Sequence, residues 1–134
     1  SVTETAAVLF LEDRLLPWLN VWDNIALSRL GWGAGEDREK RIDQLAEMLE
    51  IDDIMYMLPD ELSGGMKHRV AMARTFFADG DLIILDEPFR GLDAQLKERI
   101  TEGLWKKETE GKTVLLITHI PEDAERLASK IIRV

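Results

Sequence analysis

The sequence contains no cysteine and only two histidines among its 134 residues. Disulfide bonds and thiolate metal sites are therefore excluded, and a zinc site would have few nitrogen ligands to draw on. Long apolar runs are also missing, since stretches such as 82–85 and 114–117 fall far short of the roughly 20 residues that span a bilayer. We find no secretory leader, so these absences predict a soluble protein on the cytoplasmic side of a membrane.

The chain also has few basic residues relative to acidic ones. The chain has 17 lysines and arginines against 26 acidic residues, which gives a formal net charge of −9 at pH 7. Such a charge repels the phosphate backbone of nucleic acids, so nucleic acid is excluded as an expected partner. The apolar fraction of 46% is that of a globular protein, and the length fits one domain or part of a larger one.

The first half of the chain has a mainly helical pattern after one short apolar run near residues 6–10. Asn20 is a typical cap for a helix over 21–30, and a second helix is predicted over 37–50. The second helix would place Ile42, Leu45 and Leu49 on one face, with charged residues opposite.

From Ser63 onward, helices and apolar strands alternate. Helices are predicted over 64–77, from the cap Asp93 to about residue 107, and after Pro121. The runs "DLIILDEP" and "TVLLITH" are typical of strands buried on both faces, and "KIIRV" predicts a last strand. This alternation indicates a parallel sheet and therefore an α/β fold.

Three polar side chains follow two of these strands directly. Because ligands bind beyond the carboxyl ends of parallel strands, Asp86, Glu87 and His119 are expected at one edge of the sheet. An aspartate after four apolar residues is suited to hold Mg²⁺ through water, and Glu87 beside it could orient or deprotonate an attacking water. Alternatively, the two acids only begin a turn before Pro88, and His119 is an ordinary loop histidine.

The stretch "LSGG" places Ser63, Gly64 and Gly65 at the start of a predicted helix. Free backbone N–H groups and the positive end of the helix dipole make such a terminus suitable for binding a phosphate. The alternative is that the two glycines only provide a flexible turn.

Taken together, four motifs occur in a characteristic order: "LSGG" at 62–65, "LIILDEP" at 82–88, "GLD" at 91–93 and "TH" at 118–119. In this order and spacing the chain resembles the ATP-binding cassette (ABC) ATPases, over nearly its whole length but without their first third. The stretch "FLEDRLLPWLNVWDNIAL" is similar to the nitrate, sulfonate and taurine importer branch. The resemblance implies part of a P-loop NTPase fold with a RecA-like parallel sheet. It further implies a mainly helical signature subdomain at about 12–77 and an α/β core at about 78–134.

The resemblance also implies roles for the residues already singled out. Asp86 would serve Mg²⁺, Glu87 would be the catalytic base and His119 would sense the γ-phosphate. Ser63–Gly65 would contact the γ-phosphate of an ATP held mainly by a second ATPase subunit, and Asp93 would lie in a loop crossing the dimer interface. The helical subdomain would dock a membrane permease, which would place the protein at the inner face of the cell membrane.

The sequence departs from the family in three places. The phosphate loop G-x-x-x-x-G-K-[ST] is missing, since "GKT" at 111–113 has Lys106 where the first glycine is needed and precedes a strand. Leu11 stands where the family has a glutamine that senses Mg²⁺ and water, and an apolar side chain can do neither. Met66 replaces the glutamine of a capping box, so one of its two reciprocal bonds is lost and the side chain is expected to pack.

Two functions therefore remain open. In the first, the chain is the signature-bearing remainder of an importer's ATPase subunit, a fragment or truncation whose complete form hydrolyses MgATP between two head-to-tail subunits. In the second, it is a degenerate, non-hydrolytic module that engages a full ATPase or a permease. A small phosphotransferase would need a phosphate loop of its own.

Overall fold

A parallel three-stranded sheet forms the centre of the chain. The structure, a computed structural model, describes residues 5–29, 31 and 35–133. The strands are β1 (Ala6–Leu9), β2 (Leu82–Asp86) and β3 (Thr113–Ile117), in the order β1-β2-β3. Both strand pairs are parallel, so the α/β prediction is confirmed. The carboxyl ends of the three strands consequently lie at one edge.

Six α-helices accompany these strands in the described residues. They are α1 (Val21–Ala26), α2 (Glu36–Met48), α3 (Gly64–Ala78), α4 (Ala94–Arg99), α5 (Lys106–Thr109) and α6 (Pro121–Leu127). Short 3₁₀ turns lie at Leu27–Arg29 and Pro59–Glu61, and a π-helical stretch, Ile100–Trp105, joins α4 to α5. No helix among residues 5–29, 31 and 35–133 is both long and apolar enough to cross a membrane.

Polar caps begin three of the helices. The side chains of Asn20, Ser63 and Asp93 accept hydrogen bonds from the backbone N–H three residues later, at 2.8, 3.2 and 2.8 Å. Each bond satisfies a donor that has no acceptor within its own helix. The predicted helix starts are therefore confirmed, although α1 is shorter than expected and Leu30 lies outside the described residues.

Apolar side chains at helical spacing build the core over one face of the sheet. Ile42, Leu45 and Leu49 are completely buried, as predicted for α2. They join Leu9 of β1 and Leu85 of β2 in one hydrophobic cluster. The helices thus hold the sheet in position from one side.

The expectation that β2 and β3 are buried on both faces is wrong. Burial alternates along the strands, with Ile83 and Leu85 buried but Leu115 and Ile117 of β3 52% and 45% exposed. The described residues supply a helical layer for only one face, so alternate side chains of β3 remain open to solvent. The predicted strand "KIIRV" is also wrong, since residues 130–133 form no ladder with the sheet, and Val134 lies outside the described residues.

Candidate active site

Glu87 and His119 form a hydrogen-bonded pair at the carboxyl edge of the sheet. Oε1 of Glu87 accepts from the backbone N–H of His119 at 3.0 Å and from Nδ1 at 2.6 Å. The two residues follow neighbouring parallel strands, so the sequence expectation that they meet at one edge is met by the geometry. An ionised carboxylate only accepts, so Nδ1 of His119 carries a hydrogen.

The remaining atoms of this pair face outward. The His119 side chain is 82% exposed, which leaves its Nε2 able to meet a ligand. Glu87 is more enclosed, and its backbone lies in the left-handed region at φ 49°. Non-glycine residues adopt that region at an energetic cost, and such strain concentrates at functional sites. The backbone N–H of Glu87 donates to Ile117 at 2.8 Å, which helps to hold this conformation.

Asp86 ends β2 beside this pair. It is partly buried, it is in register with Ile117, and its carboxylate has no hydrogen bond or ion pair within residues 5–29, 31 and 35–133. In the same residues no cluster of three or more metal-ligating side chains occurs. Mg²⁺ is commonly held by one or two carboxylates together with waters and substrate phosphates. A single unpaired carboxylate fits that manner of binding, and the remaining ligands would come from nucleotide and water.

An open cavity of about 340 Å³ lies against the same edge. Its lining includes Leu11, Glu87, Phe89, Arg90, His119 and Asp123. Leu11 is thus near the pair, but it offers only apolar surface where a polar group would contact water. Asp123 was not singled out from the sequence, because a single acid in a charged helix gives no pattern that marks burial.

The loop formed by Ser63, Gly64 and Gly65, hereafter the signature loop, lies beside the turn that follows β2. Ser63 caps α3, and the first N–H groups of that helix have no intrahelical acceptor. A Cβ added at Gly65 would lie 3.4 Å from the carbonyl oxygen of Gly91, so the loop and the turn approach closely. Met66 packs against the core, in agreement with the packing interpretation.

The structure does not bring all the predicted site residues into one contact network. Among the described residues no hydrogen bond joins Ser63–Gly65 to Glu87 or His119. Asp93 is exposed and uses Oδ1 to cap α4.

His68 is a residue that sequence reasoning missed. It is 1% exposed, and its two ring nitrogens lie 2.9 Å from Oδ1 of Asp13 and 2.8 Å from the carbonyl oxygen of Pro88. Arg90 reaches the same carboxylate at 3.3 Å and the carbonyl of Leu11 at 2.6 Å. This cluster, hereafter the His68 cluster, connects α3 to the loop before α1 and to the turn after β2. Its histidine stands in a polar run, "MKHR", which gives no signal of burial.

Solved structures with a similar fold identify the class of protein. A solved dimeric structure of the bacterial ABC transporter cassette MJ0796 matches at a TM-score of 0.79 and 32% identity, over 91% of this chain and 55% of that chain. An ATP-binding subunit of an ABC transporter matches at a TM-score of 0.80 and 28% identity, over 92% and 52%. The parallel sheet and these likenesses thus define part of an ATP-binding cassette with the P-loop NTPase fold.

The family follows from sequence similarity. The family model described as "ABC transporter" matches residues 1–90, and the chain belongs to this family. It is 38% identical over 129 residues to the taurine import ATP-binding protein TauB of Burkholderia thailandensis, covering 93% of this chain and 49% of TauB. It is 39% identical over 127 residues to the thiamine import ATP-binding protein ThiQ of Aliivibrio fischeri, covering 92% and 53%. The chain spans about half the length of these curated relatives.

Proposed function

We propose that the chain is the signature-bearing part of an ABC importer's ATP-binding subunit, which couples MgATP hydrolysis at a head-to-tail dimer interface to solute uptake. The observation that carries this proposal is the Glu87–His119 pair beside Asp86, whose carboxylate has no hydrogen bond or ion pair within the part of the chain that the structure describes. The similarity to import ATP-binding proteins supports it.

In this proposal each residue at the carboxyl edge has one task. Glu87 takes a proton from the attacking water, and its bond from His119 fixes the direction of the carboxylate. Asp86 provides a carboxylate for Mg²⁺, and the exposed Nε2 of His119 meets the γ-phosphate. When bound, MgATP supplies the phosphoryl group that is transferred and the metal charge that neutralises it.

The signature loop serves a different ATP molecule. The N–H groups of Ser63–Gly65 begin α3, where the helix dipole favours a γ-phosphate held by the second subunit. Asp93, exposed at the start of α4, faces the same partner. The 134-residue sequence contains no phosphate loop of its own, and in this proposal its signature loop completes an ATP site whose phosphate loop lies in the second subunit.

We further infer that the helical subdomain at about 12–77 docks the permease, at the inner face of the membrane. Two large aromatic side chains there, Trp18 and Tyr56, are 70% and 83% exposed. Aromatic residues of this kind are enriched in protein interfaces.

The test joins the chain to the missing phosphate loop. The 134-residue chain alone should bind no MgATP at micromolar concentrations in a calorimetric titration, because the main phosphate contacts are absent. Fused behind the N-terminal half of a TauB protein, it should hydrolyse ATP, and Glu87→Gln should abolish turnover. Glu125→Gln, an exposed acid of α6, is the control that should leave turnover intact. Normal turnover by the Glu87→Gln fusion would refute the assignment of the base.

A second candidate function is the degenerate, non-hydrolytic module that engages a full ATPase or permease. Leu11 favours it, since this leucine lines the cavity where a polar residue would contact water. A fusion that binds ATP and dimerises but does not hydrolyse would support this alternative. Replacing Leu11 with glutamine should then restore turnover if Leu11 alone is responsible.

A further inference from the structure

Both ring nitrogens of His68 face hydrogen-bond acceptors. Nε2 lies 2.8 Å from the Pro88 carbonyl oxygen, which can only accept, so Nε2 carries a hydrogen. Nδ1 lies 2.9 Å from Oδ1 of Asp13, and an ionised carboxylate also only accepts. We propose that His68 is held as a doubly protonated imidazolium and is a positioning residue that ties the Glu87–Pro88 turn to the signature helix α3.

A neutral His68 would fit this geometry poorly. Its bare Nδ1 would place a lone pair against the Asp13 carboxylate at 2.9 Å, which is repulsive. Nδ1 could instead accept from Nη2 of Arg90, but that nitrogen is 3.4 Å away. The same Nη2 makes a shorter hydrogen bond, since it donates to the Leu11 carbonyl oxygen at 2.6 Å. The shorter contact to Asp13 therefore favours the charged ring.

The surrounding charges balance the imidazolium only in part. Among residues 5–29, 31 and 35–133, Asp13 is the one anion in contact with it, while Arg90 adds a positive charge from the turn after β2. Arg74, also on α3, donates to the backbone carbonyls of Asp13 and Arg14 at 2.5 and 2.9 Å. Burial lowers the pKa of Arg74, and the Asp13 carboxylate opposes that shift. Asp13 is thus the group on which the charge of His68 depends.

His68 is linked to Glu87 through Pro88, the residue that follows Glu87 in the chain. Glu87 is strained at φ 49°, and the carbonyl of the next residue, Pro88, is the acceptor for His68. On the other side, the Glu87 N–H is bonded to Ile117. The Ile117 bond thus fixes the turn before Glu87, and the His68 bond fixes it after Glu87. That a fixed Glu87 serves catalysis rests on the proposed function, whereas the charge and the contact of His68 do not.

The charge is tested by nitrogen NMR of the whole chain labelled with ¹⁵N-histidine. At pH 7.5 both ring nitrogens of His68 should give signals of protonated nitrogen, with His119→Ala assigning which ring is which. Asp13→Asn should remove the second protonated signal, because an amide can donate to a bare Nδ1. Asp52→Asn, an exposed acid, is the control and should change nothing. One protonated and one bare nitrogen in the unmodified chain would overturn the proposal.

The positioning role is tested through His119, whose backbone N–H donates to Glu87. His68→Gln should shift the amide and ring signals of His119, while Lys67→Gln on the same helix should not. Unchanged His119 signals in a folded His68→Gln chain would refute the positioning role. If that variant does not fold, Asp13→Asn is examined for the same shift. None of these measurements uses ATP, so their failure is distinct from failure of the proposed function.

Discussion

The ammonium group of Lys97 lies 2.6 Å from Oδ1 of Asp123, and this ion pair joins α4 to α6 beside the cavity. Asp123 is 5% exposed, and its second oxygen, Oδ2, is buried without a hydrogen-bond partner among the described residues. Lys97 is therefore the residue that compensates the buried negative charge of Asp123, and loss of Lys97 should reduce the stability of the fold.

We expect Lys97→Met to destabilise the chain by about 1–3 kcal/mol, because it leaves a buried carboxylate unpaired. The double variant Lys97→Met/Asp123→Leu should recover most of that loss, since no buried charge remains. Lys106→Met, which breaks an exposed pair with Glu102, should cost less than about 1 kcal/mol. Urea unfolding measures all three, and equal losses for the two single variants would contradict the expectation.

Gly80 lies where the chain enters β2 against β1. A Cβ added there would be 2.6 Å from the backbone nitrogen of Ala7, and backbone atoms cannot yield as a flexible side chain can. Gly80→Ala should therefore destabilise the chain by about 1–3 kcal/mol. At Gly35 a Cβ would meet nothing within 4 Å, so Gly35→Ala is the matched control in the same thermal melts.

The cap of the signature helix provides a third prediction. Ser63→Ala removes the acceptor for the Met66 N–H and should cost about 1 kcal/mol of stability, whereas Ser63→Gly should cost only a few tenths. Chemical denaturation with circular dichroism distinguishes the two. Equal losses would show that the loop is held by packing rather than by the cap.

Arg126 gives the chain a pH-dependent contact between α6 and two glutamates, Glu98 in α4 and Glu102 in the π-helical stretch after it. Its guanidinium bonds both oxygens of Glu98, at 2.8 and 3.0 Å, and one oxygen of Glu102. The bond from Arg126 lowers the pKa of Glu98, and bonds from Lys106 and then Arg126 lower the pKa of Glu102. Because folding lowers both values, the stabilisation is present above the usual carboxyl pKa of about 4.5 and is lost as pH falls through the folded pKa values.

Arg126→Leu should therefore flatten the acid limb of the curve of stability against pH, with little change in slope above pH 6. Lys107→Met, at an exposed position of α5, should leave the limb as it is. The midpoints of urea unfolding between pH 3 and pH 7 measure this dependence. If Arg126→Leu lost stability in acid as steeply as the unmodified chain, the contribution of Arg126 to the pH dependence would be refuted.

Local signals in the sequence predict most of the fold. Asn20, Ser63 and Asp93 mark helix starts because a cap acts over three residues, and short apolar runs mark β1 to β3. The meeting of Glu87 and His119 also follows, since parallel strands end at one edge.

Features that depend on distant partners could not be predicted. His68 contacts Asp13, which stands 55 positions earlier, and no local pattern indicates that contact. The exposed face of β3 depends on which layers cover the sheet, whereas an apolar run such as "TVLLI" looks the same with one layer or two.

The pairing of β1 with β2 also constrains the order of folding. Thr5, just before β1, bonds Asp81, just before β2, across 76 positions of chain. At about 5–20 residues per second, synthesis of that interval takes roughly 4–15 s, and β2, the strand that β1 pairs with among the described residues, is completed only afterwards. Helices α1 to α3 emerge first and can offer their apolar sides to β1 in the meantime. On a ribosome the helical layer would thus act as the template on which the sheet is later completed.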